Sequence, residues 1–122
     1  YLTLNTFAGN RIQLKDFDLD AKLPEIVESA VRIANDARRE FLEDAASKKK
    51  NGGSSPKPSA SGGPKLAFSM GPLGILVEPL GSFGLDEARK EFAYVAGLAS
   101  ANANEKPATH DYDAYVLETF TN

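Results

Sequence analysis

Few side chains in this sequence could act as catalysts, and one short segment holds the strongest candidate. His110 is the only histidine of the 122 residues, and Asp111 and Asp113 follow it closely. A histidine beside carboxylates can act as a general base or contribute to a metal site, but either site needs partners that converge from elsewhere in the chain. The sequence indicates no such partner. An ordinary surface histidine is therefore the favoured interpretation, and we expect no metal and no cofactor.

A basic stretch is the second feature with chemical potential. No acidic residue lies between Asp44 and Glu78, and five lysines fall in that interval. They are Lys48, Lys49, Lys50, Lys57 and Lys65. Lysines can contact phosphates, but no aromatic side chain is interleaved with these five for base stacking, and the net charge of -3 gives no global attraction to nucleic acid. A solvated linker is therefore favoured over a nucleic-acid patch, unless an assembly places many copies around one duplex.

The glycine-rich segments GPLG, GSFG and SGGPK do not have the spacing of a phosphate-binding loop, and we interpret them as turns. The absence of cysteine excludes a disulfide framework, a thiolate zinc site and a cysteine nucleophile within these residues. No apolar run approaches the roughly 20 residues that a membrane span needs, and no signal peptide is visible. We therefore expect a soluble protein.

The clearest structural element is a long amphipathic helix, predicted over about residues 23–46. Its apolar positions recur every three or four residues, with charged side chains on the opposite side. They are Leu23, Ile26, Val27, Ala30, Ala34, Ala37, Phe41 and Ala45. Pro24 suits the first turn of the helix, and Gly52 can end it. We expect this stripe, including the Phe41 ring, to form the core.

Short strands are predicted on both sides of this helix. The segments LTL and RIQL alternate apolar and polar residues around a Gly9-Asn10 turn, which predicts a hairpin. KLAFSM and ILVEPL predict two further strands around residues 71–74. A second, shorter helix is predicted over about residues 85–101. The tail DYDAYVLETF predicts a final strand, although a helix is also compatible with it.

The segment between the first helix and the next strand has an unusual composition. Residues 47–64 are almost entirely Lys, Gly, Ser, Pro and Asn. Such a segment cannot bury enough apolar surface to offset the entropy lost on ordering. We therefore predict a single domain over residues 1–122 with a flexible basic loop at 47–64.

The order of residue types around this loop resembles that of a family of tailed-phage neck and tail-completion proteins. RIANDARREFLEDA resembles the end of their amphipathic helix, and PSASGGPKLAFSM is similar to the mobile loop and strand that follow it. The matching residues are Pro58, Ser61, Gly62, Leu66, Ser69 and Met70. GILVEPLG looks like the family's next strand and turn, and either FAYVAG or DAYVLETFT looks like its aromatic segment.

This resemblance implies an α+β fold, in which the one long helix packs on a small antiparallel sheet, with the second, shorter helix and the long flexible loop beside them. It also implies a non-enzymatic virion protein that forms a ring with copies of itself, as a head–tail connector or tail-completion protein. Neighbouring neck or tail proteins would be its partners, the lumen of the ring could contact DNA non-specifically, and no membrane would be involved. The protein would be found in the virion, after assembly in the host cytoplasm.

In this interpretation the polar loop is an arm that contacts the next subunit. The residues expected to make those contacts are Lys48, Lys49, Lys50, Lys57, Pro58, Ser61, Gly62 and Lys65. Two alternatives stay open. One is a soluble adaptor domain unrelated to phages, in which the loop is only a flexible insertion. The other is a small enzyme that uses His110 together with aspartates.

Overall fold

The computed structural model describes residues 1–50, 63–104 and 112–118, with the backbone alone at 48–50 and 101–104. Strands and helices alternate along these ranges. In chain order they are β1 (Leu2–Thr3), α1 (Arg11–Lys15), α2 (Leu23–Lys50), β2 (Leu66–Met70), α3 (Leu85–Asn104) and β3 (Ala114–Leu117). A single 3-10 turn, Asp20–Lys22, leads directly into α2.

The three strands form one parallel sheet in the order β1-β2-β3. Leu2 pairs with Leu66 at one side of β2, and Ala67 pairs with Ala114 at the other. The predicted antiparallel sheet is therefore wrong. Parallel neighbours need a crossover of a dozen or more residues, usually a helix, and here α2 and α3 are those crossovers. The sequence prediction missed this because it treated the glycine-containing turns after the strands as hairpin turns.

The first predicted hairpin is replaced by a strand and a short helix. Asn10 has an extended backbone, and its side-chain oxygen accepts a hydrogen bond from the main-chain nitrogen of Gln13 at 2.9 Å. This is the geometry of a helix N-cap, which satisfies one of the free N–H groups of the first turn. The segment RIQL therefore continues as α1 rather than as a returning strand.

The segment ILVEPL does not form a strand either. It belongs to a loop in which Val77 makes one isolated parallel bridge to Phe83. Pro79 has no N–H to donate to a strand ladder, which disfavours a longer pairing. The helix after this loop begins at Leu85 as predicted and extends to Asn104, three residues past the predicted end at 101.

The core lies between the two long helices and one face of β2. Leu66 and Phe68 are fully buried, and Met70 is nearly so. The helical side chains packed with them are Leu23, Val27 and Val31 from α2 and Val95 and Ala99 from α3, joined by Leu4. Leu23 and Val27 belong to the predicted apolar stripe, whereas Val31, which is equally buried, does not.

The prediction that Phe41 is a core residue is wrong, because 53% of its surface is exposed. The reason is a mismatch of lengths. A helix of 28 residues such as α2 is about 42 Å long, while a five-residue strand such as β2 covers about 17 Å. The last turns of α2 therefore extend beyond the part of the helix that the sheet could cover. These turns include the backbone of residues 48–50, which the sequence predicts to be part of the loop.

A group of aromatic rings closes the core at β3. The Tyr112 and Tyr115 rings lie 5.7 and 5.9 Å from the Phe68 ring, measured between centroids. The Tyr112 hydroxyl donates a hydrogen bond to the Tyr115 hydroxyl at 2.6 Å. Burial, together with this hydrogen bond, raises the pKa of Tyr112 to about 12. The phenol of Tyr112 is therefore held in its protonated form in the folded chain.

The contrast between two phenylalanines tests the assignment of the core. Phe68→Ala should lower the free energy of unfolding by about 3–5 kcal/mol, because it removes a fully buried ring. Phe41→Ala should cost about 1 kcal/mol or less, because its ring is already half in solvent. Urea unfolding of the two variants measures both values, and equal losses would contradict the packing described here.

The tyrosine pair predicts a stability change at alkaline pH. The unfolded chain begins to ionise Tyr112 near the ordinary value of 10.0, whereas the folded chain resists ionisation up to about 12. Stability from this group is therefore complete below pH 10 and is lost as the pH rises through 12. Tyr112→Phe should show a flatter decline in unfolding free energy over that window than the wild type. The exposed Tyr1→Phe is the matched control and should follow the wild-type curve.

Candidate functional site

The carboxyl ends of the three strands lie at the same edge of the sheet, because all three run in the same direction. Ligand sites of parallel α/β folds form at this edge, among the residues that end or follow each strand. Four residues of this kind define what we call the carboxyl edge. They are Thr6 after β1, Ser69 near the end of β2, Gly71 after β2, and Glu118 after β3.

Strand alternation places Ser69 away from the core. Phe68 faces the tyrosines and the helical core, so its neighbour Ser69 points to the opposite face of the sheet. Ser69 pairs with Val116 in the parallel register. Glu118 lies two residues beyond Val116, on the same face, and this brings its carboxylate next to the Ser69 hydroxyl.

A chain of hydrogen bonds connects the three strands at this edge. The Thr6 hydroxyl donates to the Ser69 carbonyl oxygen at 2.7 Å, and the Ser69 hydroxyl donates to Oε1 of Glu118 at 2.7 Å. The main-chain nitrogen of Glu118 also donates to the Met70 carbonyl at 3.1 Å. Thr6 and Ser69 are buried, with 4% and 2% of their surfaces exposed, while Glu118 is half-buried. A partly accessible carboxylate is therefore held by buried partners.

The loops that follow β1 and β2 are packed closely together. The Gly71 nitrogen donates to the Phe7 carbonyl at 3.0 Å. A Cβ at Gly71 would lie 2.6 Å from that same oxygen, so a larger residue would force the two loops apart. The side chain of Gln13 donates to the Pro72 carbonyl at 2.7 Å. These contacts fix the two loops at the carboxyl edge relative to each other.

An ion pair between the half-exposed Arg11 and the buried carboxylate of Glu91 attaches the first of these loops to α3. Glu91 is 5% exposed, and its carboxylate accepts hydrogen bonds from the main-chain nitrogen and from Nε of Arg11, each at 2.8 Å. The guanidinium also lies over the Tyr94 ring, 4.2 Å from its centroid. The hydrogen bond to Glu91 raises the pKa of Arg11. These contacts hold the start of α1 against α3.

The carboxyl edge offers an accepting group that could recognise a ligand. With Oε1 of Glu118 bound to Ser69, no hydrogen bond to Oε2 is found among the described residues, so Oε2 can accept one from a ligand.

Across residues 1–50, 63–104 and 112–118, no group of three or more His, Cys, Asp or Glu side chains could hold a metal ion. Within the same ranges, no helix is long and apolar enough to cross a membrane.

Two apolar grooves flank the sheet. One, of about 650 Å³, lies beside β1 and is lined by Leu19, Ile26 and Ile33 among others. The second, of about 1520 Å³, lies beside β3 and includes Leu80 and Leu117. In the part of the chain that the structure describes, β1 and β3 each pair with a neighbour on one side only. The polar carboxyl edge is thus bordered by apolar surface on both sides.

The structure does not place the residues predicted from the sequence at this edge. Lys65 precedes β2, at the opposite end of the strand, where its carbonyl accepts from the Leu2 nitrogen at 2.7 Å. The backbone of residues 48–50 lies at the end of α2. The remaining arm residues and the histidine segment fall outside the described residues, so their predicted roles are untested. They are Lys57, Pro58, Ser61, Gly62, His110 and Asp111.

Sequence reasoning missed Thr6, Ser69 and Glu118 as a group. The signal was present, since each of these polar residues ends or follows a short apolar segment. It indicates a common site only when the strands are parallel, because antiparallel strands send alternate ends to opposite edges of the sheet. The antiparallel prediction therefore concealed the convergence.

Comparison with known proteins gives one positive result. A family model described as homocysteine S-methyltransferase matches residues 1–122, the whole of the chain. Neither the curated proteins nor the solved structures include a significant match to this sequence. The family match is therefore the basis for assigning the chain.

This match overturns the resemblance to phage neck and tail-completion proteins, and with it the predictions of a structural virion protein and of a chain that is not an enzyme. That resemblance depended on an amphipathic helix followed by a polar loop and a strand, an order that a helical crossover between parallel strands also produces. The ring of copies, the neck and tail partners, the DNA contact and the virion location came from the same resemblance, and no described residue tests them. The chain belongs to the homocysteine S-methyltransferase family.

Proposed function

We propose that this protein transfers a methyl group to the sulfur of homocysteine, and that the carboxyl edge of the sheet contributes to binding that substrate. The observation that carries the proposal is the family match over all 122 residues. The parallel sheet supports it, because enzymes with parallel α/β sheets bind substrates at the carboxyl ends of their strands.

The reaction determines which groups the protein must recognise. The homocysteine sulfur forms a new bond to the methyl carbon, the bond between that carbon and the methyl donor breaks, and the thiol proton leaves to a base or to solvent. The thiolate is the reactive form of the sulfur. Homocysteine also carries an ammonium and a carboxylate, neither of which reacts. These two charged groups are what a binding site can use to orient the sulfur toward the methyl donor.

Glu118 fits the ammonium group of this substrate. Its Oε1 is occupied by the Ser69 hydroxyl, while Oε2 is without a hydrogen bond among the described residues. An ammonium at Oε2 would form a charge-assisted hydrogen bond, which is stronger than a neutral one. The half-buried position of Glu118 also lowers the screening of that attraction by water. In this proposal Glu118 binds and orients homocysteine and takes no part in the transfer itself.

The activity is tested by incubating the purified protein with L-homocysteine and a methyl donor, and by measuring methionine. A sulfonium donor, S-adenosylmethionine, and a quaternary ammonium donor, betaine, cover two classes of donor. Methionine formation that depends on both the protein and a donor is the expected result. If no methionine forms with either donor and calorimetry shows no binding of homocysteine, the proposed function is wrong.

The role of Glu118 has its own test. Glu118→Gln keeps the shape of the side chain and an oxygen for Ser69, but it removes the negative charge. The KM for homocysteine should rise about tenfold or more, because a hydrogen bond to a charged group is lost, while the KM for the methyl donor should stay unchanged. Glu28→Gln, at an exposed position on α2, is the matched control. A Glu118→Gln enzyme with the wild-type KM for homocysteine would exclude Glu118 from substrate binding.

A further inference from the structure

We infer that Ser69 is a positioning residue, whose hydroxyl orients the Glu118 carboxylate for the ammonium group of the substrate. This inference rests on the proposed function, since it concerns the same binding edge.

The first observation is the setting of the serine. Ser69 is the one polar side chain of β2, whose sequence is LAFSM, and only 2% of its surface is exposed. Burying a hydroxyl in a strand lowers stability unless the hydroxyl is hydrogen-bonded. Its partner is Oε1 of Glu118, at 2.7 Å. Alanine at this position would leave the parallel ladder intact, because the ladder uses the main chain of residue 69 and not its side chain.

The second observation is the direction of the hydrogen bond. A hydroxyl has one proton to donate, and an ionised carboxylate can only accept. The Ser69 proton therefore occupies Oε1 and leaves the accepting capacity of Oε2 for a ligand. A glutamate side chain loses considerable rotamer freedom when it is fixed. Because Ser69 already restricts the rotamers of Glu118 in the free protein, binding of the substrate does not have to offset that loss of side-chain entropy.

The third observation is that Ser69 is itself held from the other side. The Thr6 hydroxyl donates to the Ser69 carbonyl at 2.7 Å in a buried contact. The Met70 carbonyl accepts from the Glu118 nitrogen at 3.1 Å. The Thr6 bond therefore holds the main chain of Ser69, and the Met70 bond holds the main chain of Glu118 against the central strand. The hydrogen bond from the Ser69 hydroxyl then fixes the position of the Glu118 carboxylate itself.

The experiment compares two ligands that differ by one group. L-homocysteine carries the ammonium, and γ-mercaptobutanoate is the same molecule without it. Dissociation constants are measured by calorimetry on the full chain for the wild type and for Ser69→Ala. Ser69→Ala should weaken the binding of homocysteine about tenfold and leave the binding of γ-mercaptobutanoate unchanged. Ser47→Ala is the control, because Ser47 is an exposed serine on α2 whose hydroxyl donates to the Glu43 carbonyl of the same helix at 2.9 Å.

Each outcome decides between specific alternatives. If the ratio of the two dissociation constants is the same for Ser69→Ala as for the wild type, the positioning role is wrong and Ser69 is only structural. This includes the case in which the binding of both ligands is weakened equally. If the wild type binds neither ligand, the proposed function itself has failed. Should Ser69→Ala not fold in a thermal unfolding control, Ser69→Cys replaces it, since its thiol is a weak donor of similar size. The same selective loss is expected for the cysteine variant, and its absence would overturn the inference.

Discussion

Parallel pairing of β2 on both of its sides is the constraint on which the rest of this structure depends. With β1 and β3 running in the same direction as β2, each connection must return to the start of the next strand. The chain makes both returns with long helices, α2 and α3. Because the three strands are parallel, their carboxyl ends all lie at the same edge of the sheet. A polar residue at the end of any strand therefore becomes a neighbour of polar residues far away in the sequence.

The two faces of β2 have different roles as a result. Leu66, Phe68 and Met70 share one face and pack with the helical core. Ser69 lies on the other face and contacts the carboxylate that follows β3. A strand that is buried along its whole length thus contributes to stability through its alternate apolar residues and to the candidate site through a single hydroxyl.

Several elements could be predicted from the sequence because their signals are local. The 3.6-residue periodicity located the start of α2 and the burial of Leu23 and Val27, and the segment KLAFSM predicted β2. The relative direction of strands could not be obtained in this way, because alternation of apolar and polar residues is the same in parallel and antiparallel pairs. Asn10 has the same ambiguity, since asparagine favours both turns and helix N-caps. The exposure of Phe41 depends on how far the sheet extends beneath the helix, and that is a tertiary property.

The candidate site was less accessible from the sequence for a related reason. Glu118 is one of seventeen acidic residues, and nothing in its local segment separates it from the others. Glu118 becomes distinctive only through its hydrogen bond to Ser69, which is 49 residues away in the sequence. Ser69 in turn accepts a hydrogen bond from Thr6 at its carbonyl oxygen. Since β3 is paired on one side only within the described residues, the Ser69 contact and the β2–β3 ladder together determine where the carboxylate lies. A substrate contact at Glu118 is therefore coupled to the central strand, which is the part of the sheet with the most pairing partners.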